Sequence, residues 1–580
     1  MTSKVKQVSV IVSVLLHVAL AVTNSQTPEP LATVRNGTYA GVYSPTYHQD
    51  FFLGIPYAQD TTGPNRFRIP QALNTTWTGT RPAKQYGHAC PDDTPEDDAL
   101  WGMSEDCLSI NIVRPAGIDV ATANLPVLFW IHGGAYQVGT SGLDRYNLSY
   151  IVQRSVDMGR PVLGASINYR KGGWGLMYSI EIQGTGNANL ALRDMRHALA
   201  WVQENIAGFG GDASRVTIWG ESAGAFAVGQ LLMSYGGRTD GLFHRSIQES
   251  GSAATAWYNG TERYQPIYDR IVSQVSCTDA IDTLACLRAV PYATLLPFMA
   301  STLLNGPGFY PTVDGDIIPQ FPTSLLALGE FAHIPHIIGS NSDEGTDNAP
   351  EGVINTDDDL YNYLLHNTGF NFPPATIRQI MALYPDDPAQ GIPLNTGGER
   401  FPSKGWQYKR VAAILGDVYY HAPRLADARH YAAHRPNDTF VYRFNTRPWL
   451  AAAPQSVNVT CQDDLCGSIA PAYQGVAHAT ELAFVFRNPQ WLGPWPEYRK
   501  LADKMSAMWV HFAHDGTPNG HNAGEGEEKE EVWPPYASGG EEGANLVLQT
   551  EEQGGLYVEA DTYRLEGREL LTKWARRRHV

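Results

Sequence analysis

The stretch TIWGESAGAFAVG, residues 217–229, surrounds Ser222 with glycine and alanine where a β-branched, aromatic run gives way to small, helix-compatible residues. Gly220-Glu221-Ser222-Ala223-Gly224 fits G-x-S-x-G. When a strand precedes this pattern and a helix follows it, the serine sits on a sharp elbow with strained dihedrals and presents its hydroxyl as a nucleophile. A tight turn that serves packing alone would ask for the same small residues. The hydroxyl becomes chemistry only with a base, an acid to orient that base, and donors for an oxyanion. WIHGGAYQVG, residues 130–139, is a candidate source of the donors, because its glycines leave backbone N–H groups unobstructed at the end of an apolar run. An ordinary glycine turn is the other reading of that stretch.

These residues need elements to hold them, and the surrounding pattern supplies an alternation of strand and helix. PVLFWIHGG and PVLGASINY are short apolar runs with the flanks of buried strands. Leu192, Met195, Leu199, Val202 and Ile206 recur at steps of three and four, which makes one apolar helix face. RVTIW follows as a strand and AGAFAVGQLLM as a helix, so residues 127–224 read as a mostly parallel sheet with helices on its faces. After Ser250 the pattern loosens, as expected of insertions that wall a site. HIPHIIGSN returns as a strand, RKLADKMSAMWVHFAHDG as an amphipathic helix, and the polar, acidic segment 519–531 as a surface loop.

Across 580 residues the 42 basic and 59 acidic side chains leave a formal charge of −17. That balance disfavours nucleic acid and anionic membranes as partners, since phosphate contacts need clustered Lys and Arg. At the N-terminus Lys4 and Lys6 precede an apolar run from Val8 to Val22, followed by small residues, which is the layout of a secretory signal peptide over residues 1–21 with cleavage as late as about residue 25. The run is short for a membrane span. No later stretch has spanning length, so an exported chain without stable membrane insertion is expected.

The six cysteines fall into local pairs, Cys90 with Cys107, Cys277 with Cys286 and Cys461 with Cys466, among fifteen pairings that six cysteines allow. Zinc would compete for them, but no spacing is CxxC and no ligand-patterned histidine lies beside them, so no metal is expected. Six N-x-S/T sequons at Asn36, Asn74, Asn147, Asn259, Asn437 and Asn458 are glycosylation candidates on an exported route.

FFLGIPYAQ, RFRIP, MSEDCLSINI, WIHGGAY, INYR, ENIAGFGGDASRVTIWGESAGA, GLFHRSIQESGS, GSNSDEGT and GVAHATELAFVF occur in that order along the chain. Together they resemble the type-B carboxylesterase and lipase family of α/β-hydrolases, most of all its secreted fungal members. The resemblance implies one α/β-hydrolase domain over residues 26–580 and a serine esterase that needs no cofactor. It implies Glu344 of the D-E-G motif as the acid and His478 of the G-x-x-H motif as the base. On residue type alone His478 is one of 17 histidines. Gly134, Ala135 and Ala223 would give the oxyanion N–H groups, with Ala135 standing where many relatives have glycine. Glu221 and Ser250 match a buried polar network behind the triad, and Met195 occupies a place where glutamine is usual. The resemblance also implies the first two cysteine bridges and two internal ion pairs, Arg66 with Glu105 and Arg170 with Asp194; the Cys461 and Cys466 pair has no such counterpart.

The expected substrate is a small-molecule carboxylic ester, hydrolysed through an acyl-enzyme. Triacylglycerol or sterol-ester lipase is the alternative within the family, with a cholinesterase-like enzyme or a non-catalytic adhesion protein further off. The loop between Cys90 and Cys107 corresponds to a lipase lid, yet its sixteen residues are crowded with carboxylates and offer only Leu100, Trp101 and Met103 as apolar surface. A lid that opens onto oil needs an apolar face, so little interfacial activation is expected. Trp101 either gates the pocket, stacks on a cation, or anchors the loop on the core.

Overall fold

The computed structural model describes residues 29–92, 94, 100–255, 257–299, 308–451, 460–462, 465–520 and 532–578. The signal-peptide segment therefore lies outside the described residues, as do Asn458 and nearly all of the acidic loop at 519–531.

Eleven strands make one sheet: β1 (Val42–Ser44), β2 (Gln49–Pro56), β3 (Ser109–Pro115), β4 (Leu125–Ile131), β5 (Leu163–Ile167), β6 (Gly211–Glu221), β7 (Arg245–Glu249), β8 (His336–Asn341), β9 (Thr439–Phe444), β10 (Ala544–Leu548) and β11 (Tyr557–Ala560). Their spatial order is β11-β10-β9-β8-β7-β6-β4-β5-β3-β2-β1. The seven strands from β5 to β10 pair in parallel, and the strands at both edges join antiparallel.

The helices that bear on the site are α1 (Gly172–Leu176), α2 (Leu190–Asn205), α3 (Ala223–Met233), α4 (Tyr408–Gly416), α5 (Ala422–His434), α6 (Pro496–Asp515) and α7 (Leu565–Arg578). A parallel strand is apolar on both faces because helices cover both, and β4 shows why. Val127, Phe129 and Ile131 pack on one side with Leu192, Met195 and Leu199 of α2 and Leu231 of α3. Leu128 and Trp130 pack on the other with Met505 and Trp509 of α6. Met195 is thus a fully buried core residue. A third cluster, around Leu360, Ile377, Val411 and Ile414, lies among helices inserted after β8.

Two of the expected bridges are present, Cys90–Cys107 with Cα atoms 5.0 Å apart and Cys277–Cys286 at 5.8 Å. Cys461 and Cys466 face each other in the register of a small antiparallel pair. Their side chains lie outside the described residues. Both expected ion pairs are buried: Arg66 Nε meets Glu105 Oε1 at 2.6 Å, and Arg170 Nη2 meets Asp194 Oδ1 at 2.6 Å.

The sequons divide. Asn74 and Asn437 are exposed and Asn147 is half-buried. Asn36 is buried, and its amide donates to Thr75 O at 2.8 Å. The Asn259 amide nitrogen is likewise enclosed. No described helix is long and apolar enough to cross a membrane.

Candidate active site

Ser222 stands between the last residue of β6 and the first of α3, at φ 56° and ψ −125°. An L residue rarely adopts that backbone, and the surroundings must over-determine it. They do so through Ser222 N–H donating to Glu249 O and Ser222 O accepting from Phe226 N–H, both at 2.9 Å. The flanking glycines have a steric cause as well. A Cβ on Gly224 would lie 2.1 Å from Ile131 O, and one on Gly220 would lie 2.6 Å from Gly224 O. Only bare backbone lets the elbow close onto the end of β4.

The loop that leaves β4 is also held in left-handed backbone, with φ 101° at Gly134, 55° at Ala135 and 62° at Tyr136. A Cβ on Gly134 would meet Val138 O at 2.1 Å, whereas Ala135 carries its methyl at the cost of strain. Among the described residues, the N–H groups of Gly134 and Ala135 donate to no other backbone group. Ala135 and Ser222 line one cavity of about 610 Å³, within the range of small-molecule sites. Phe226, Trp257, Tyr310 and Tyr419 supply its aromatic walls, and Arg263, Asn348 and His366 its polar ones. Thr255 and Trp257 also border a smaller chamber of about 50 Å³, whose walls include Leu326, Phe370, Val418 and Leu571.

Glu344 follows the end of β8 and is fully buried. Its Oε1 accepts Asn341 N–H at 2.7 Å and its Oε2 lies 2.7 Å from His478 Nδ1. The loop bearing His478 is riveted to the same strand end by Asp343, whose two carboxylate oxygens each accept a backbone N–H, from Leu394 and Val476, at 2.8 Å. The other ring nitrogen of His478, Nε2, lies 3.2 Å from Glu221 Oε1. Tyr420 covers the imidazole with ring centres 4.6 Å apart. It reaches that place from a single π-helical turn, Asp417–His421, between α4 and α5.

Ser250 Oγ donates to Glu481 Oε1 at 3.0 Å, and Asn341 Nδ2 donates to Glu481 Oε2. Glu481 is the member of this buried group that sequence reasoning missed. It lies three residues beyond His478 in GVAHATELAF, within a quoted motif, but nothing about a glutamate at a helix start marks it as buried.

The electrostatics follow from enclosing several carboxylates together. Burial raises the pKa of Glu221 to about 7, against the lowering effect of His478, and burial with the nearby charges of Glu221 and Glu344 raises that of Glu481 to about 8. Burial alone would lower the pKa of His478, but the carboxylates of Glu221 and Glu344 and the hydrogen bond to Glu344 outweigh it, so the imidazolium is favoured.

Trp101 is settled by contact. Its ring packs edge-on against Tyr86 at 4.9 Å and close over Gly142, and its carbonyl accepts from His88, so it anchors the disulfide loop.

The carboxylesterase family model matches residues 28–564. The chain belongs to the carboxylesterase family. It is a serine hydrolase of carboxylic esters with the α/β-hydrolase fold. It is 37% identical to Secreted lipase 1 of Botryotinia fuckeliana over 67% of this chain and 71% of that protein. It is 32% identical to Lipase 4 of Diutina rugosa over 96% of this chain and 98% of that one. The crystal structure of Aspergillus niger EstA superposes with a TM-score of 0.78 at 25% identity, covering 95% of this carboxylesterase-family chain and 99% of EstA.

Proposed function

We propose that Ser222 is the nucleophile, His478 its general base and Glu344 the acid that orients the ring, in an exported esterase folded as one domain over residues 26–580. The observation that carries this reading is the 2.7 Å contact of Glu344 with His478 Nδ1, which leaves Nε2 beside Glu221, the residue that precedes Ser222 at the elbow.

In the first step His478 Nε2 takes the Ser222 proton as the oxygen adds to the ester carbonyl. The negative charge that develops there is met by the N–H groups of Gly134, Ala135 and Ala223. The same proton then goes to the leaving alcohol. Water, deprotonated by the same nitrogen, hydrolyses the acyl-enzyme. Each oxyanion donor is worth about 3 kcal/mol in the transition state, so the strain stored in the loop after β4 serves the rate directly. Glu221, Ser250 and Glu481 hold the elbow and the imidazole in register from behind.

The substrate is a small, soluble carboxylic ester. The smaller chamber behind Trp257 supports a short acyl or alkyl group, and the carboxylate-rich disulfide loop argues against an oil interface. Export is supported by the N-terminal pattern and by two bridges that persist in oxidising compartments. Ser222→Ala should abolish hydrolysis of p-nitrophenyl butyrate while leaving the circular dichroism spectrum unchanged; retained turnover would sink the assignment. The names of the lipase relatives favour a second reading, a lipase. A sharp rate increase as tributyrin passes its solubility limit would establish that reading in place of the first.

A further inference from the structure

Lys171 and Asp92 form an ion pair in which both side chains are fully enclosed. Taking two charges out of water is expensive, and apolar residues of similar volume commonly serve stability as well or better. What an apolar residue at 171 could not supply is a donor, and Lys171 Nζ donates to Gly139 O at 2.5 Å. Gly139 closes the strained loop that begins at Gly134, itself at φ 100°. The next residue, Gly172, donates its N–H to Tyr136 O at 2.7 Å, so two consecutive residues at the start of α1 hold the loop at two of its carbonyls. Asp92 lies on the loop closed by Cys90–Cys107, and its Oδ1 accepts Thr94 N–H at 2.7 Å.

We propose that Lys171 is a positioning residue for the oxyanion hole, and that Asp92 ties it to the disulfide loop so that the order of that loop reaches the N–H groups of Gly134 and Ala135. The inference rests on the proposed role of those N–H groups. Within the left-handed run the Gly134 carbonyl accepts from the loop's own Gln137 and Val138 N–H groups and the Tyr136 carbonyl from Gly172 N–H, while Lys171 fixes the far end of the same loop at Gly139. Misplacing a donor by about 1 Å costs roughly 100-fold in rate. Binding of the ground-state ester draws on the cavity walls and should be spared.

The test is the double variant K171M/D92N, which removes the donor without stranding a lone buried charge. Its kcat on p-nitrophenyl butyrate should fall roughly 10- to 100-fold, with KM changed less than about twofold. Its affinity for a trifluoromethyl ketone, whose adduct with Ser222 places an oxyanion in the hole, should fall by the same factor as kcat. A merely structural pair would move thermal stability but neither of these readouts together. A folded double variant with kcat and ketone affinity close to those of the parent, or with a change in KM alone, overturns the proposal. If the double variant does not fold, C90S/C107S carries the test. Releasing the loop should again lower kcat and ketone affinity together, and an unchanged pair of values overturns the proposal. Ser222→Ala run in parallel separates the two levels: activity surviving that change refutes the nucleophile, whereas an inactive Ser222→Ala beside an unaffected K171M/D92N refutes only the role of Lys171.

Discussion

Glu221 touches two parts of the site at once, being the last residue of the strand that delivers Ser222 and lying 3.2 Å from the imidazole of His478. Its charge favours the imidazolium, and the imidazolium is the form that cannot accept the serine proton. Glu221→Gln should therefore lower the pKa of His478 and move the acid limb of kcat/KM to lower pH, by about one pH unit or more. A pH–rate profile checks this, and a limb that stays in place or moves upward would show that Glu221 does not set the base. Ser222 was legible because strain demands a recognisable set of neighbours, two glycines and an alanine that let the elbow close onto β4. Glu344 and His478 carry no such local mark. Their pairing spans 134 residues of chain, so only likeness to a family placed them in the sequence. Lys171 and Asp92 had no signal of any kind, since a lysine and an aspartate 79 residues apart are ordinary surface residues until the fold encloses them.

At the scale of elements, the elbow depends on the approach of α3 to β4. Gly224→Ala would push a methyl to 2.1 Å from Ile131 O, a backbone atom that cannot rotate away. Overpacking of this kind costs about 1–3 kcal/mol and displaces the helix that carries the Ala223 N–H. Thermal denaturation should register that loss together with a larger proportional drop in kcat than in stability-matched surface variants. The bridge Cys277–Cys286 joins cysteines nine positions apart, and its removal by Cys277→Ser/Cys286→Ser should lower stability by about 2–3 kcal/mol in a urea titration run without reductant. β4, β5, β6 and β8 and the helices α2, α3 and α6 were readable because strands buried on both faces form continuous apolar runs and covering helices keep a 3.6-residue period, whereas β7, with the sequence RSIQE, offers no such run. The antiparallel edge strands β1 and β11 were not, since a half-exposed edge mixes polar and apolar residues without a clean alternation. Tyr420 escaped for a related reason: the π turn at Asp417–His421 inserts a residue into helical periodicity, and no pattern of spacing announces where a helix will widen.

The whole molecule encloses several carboxyl groups whose pKa values burial raises: Asp343 to about 6, Glu221 and Asp427 to about 7, and Glu481 to about 8. A carboxyl that holds its proton more tightly when folded stabilises the fold relative to a state in which it is ionised. That contribution is therefore lost as pH rises from the ordinary values of 3.8 for the aspartates and 4.5 for the glutamates through these folded values. His132 and His336 work in the opposite sense, because burial lowers both to about 3, and their cost to the fold grows as pH falls below about 6.5. Above pH 6.5 the cost of His132 and His336 has ended, while the carboxyls and His478, whose imidazolium the folded site favours, both lose their contribution, so the melting temperature should decline from pH 6.5 to pH 8. Glu481→Gln should flatten that decline. A melting temperature that rises over this interval would contradict the assignment. The distance in chain between Ser222 and His478 also bears on time. At ribosomal rates of about 5–20 residues per second, the 256 residues that separate them (478 − 222) take on the order of tens of seconds to synthesise. A nascent chain that already carries the proposed nucleophile thus lacks the proposed base, and on this reading the polypeptide stays catalytically silent toward the esters of its birthplace until residue 478 has emerged.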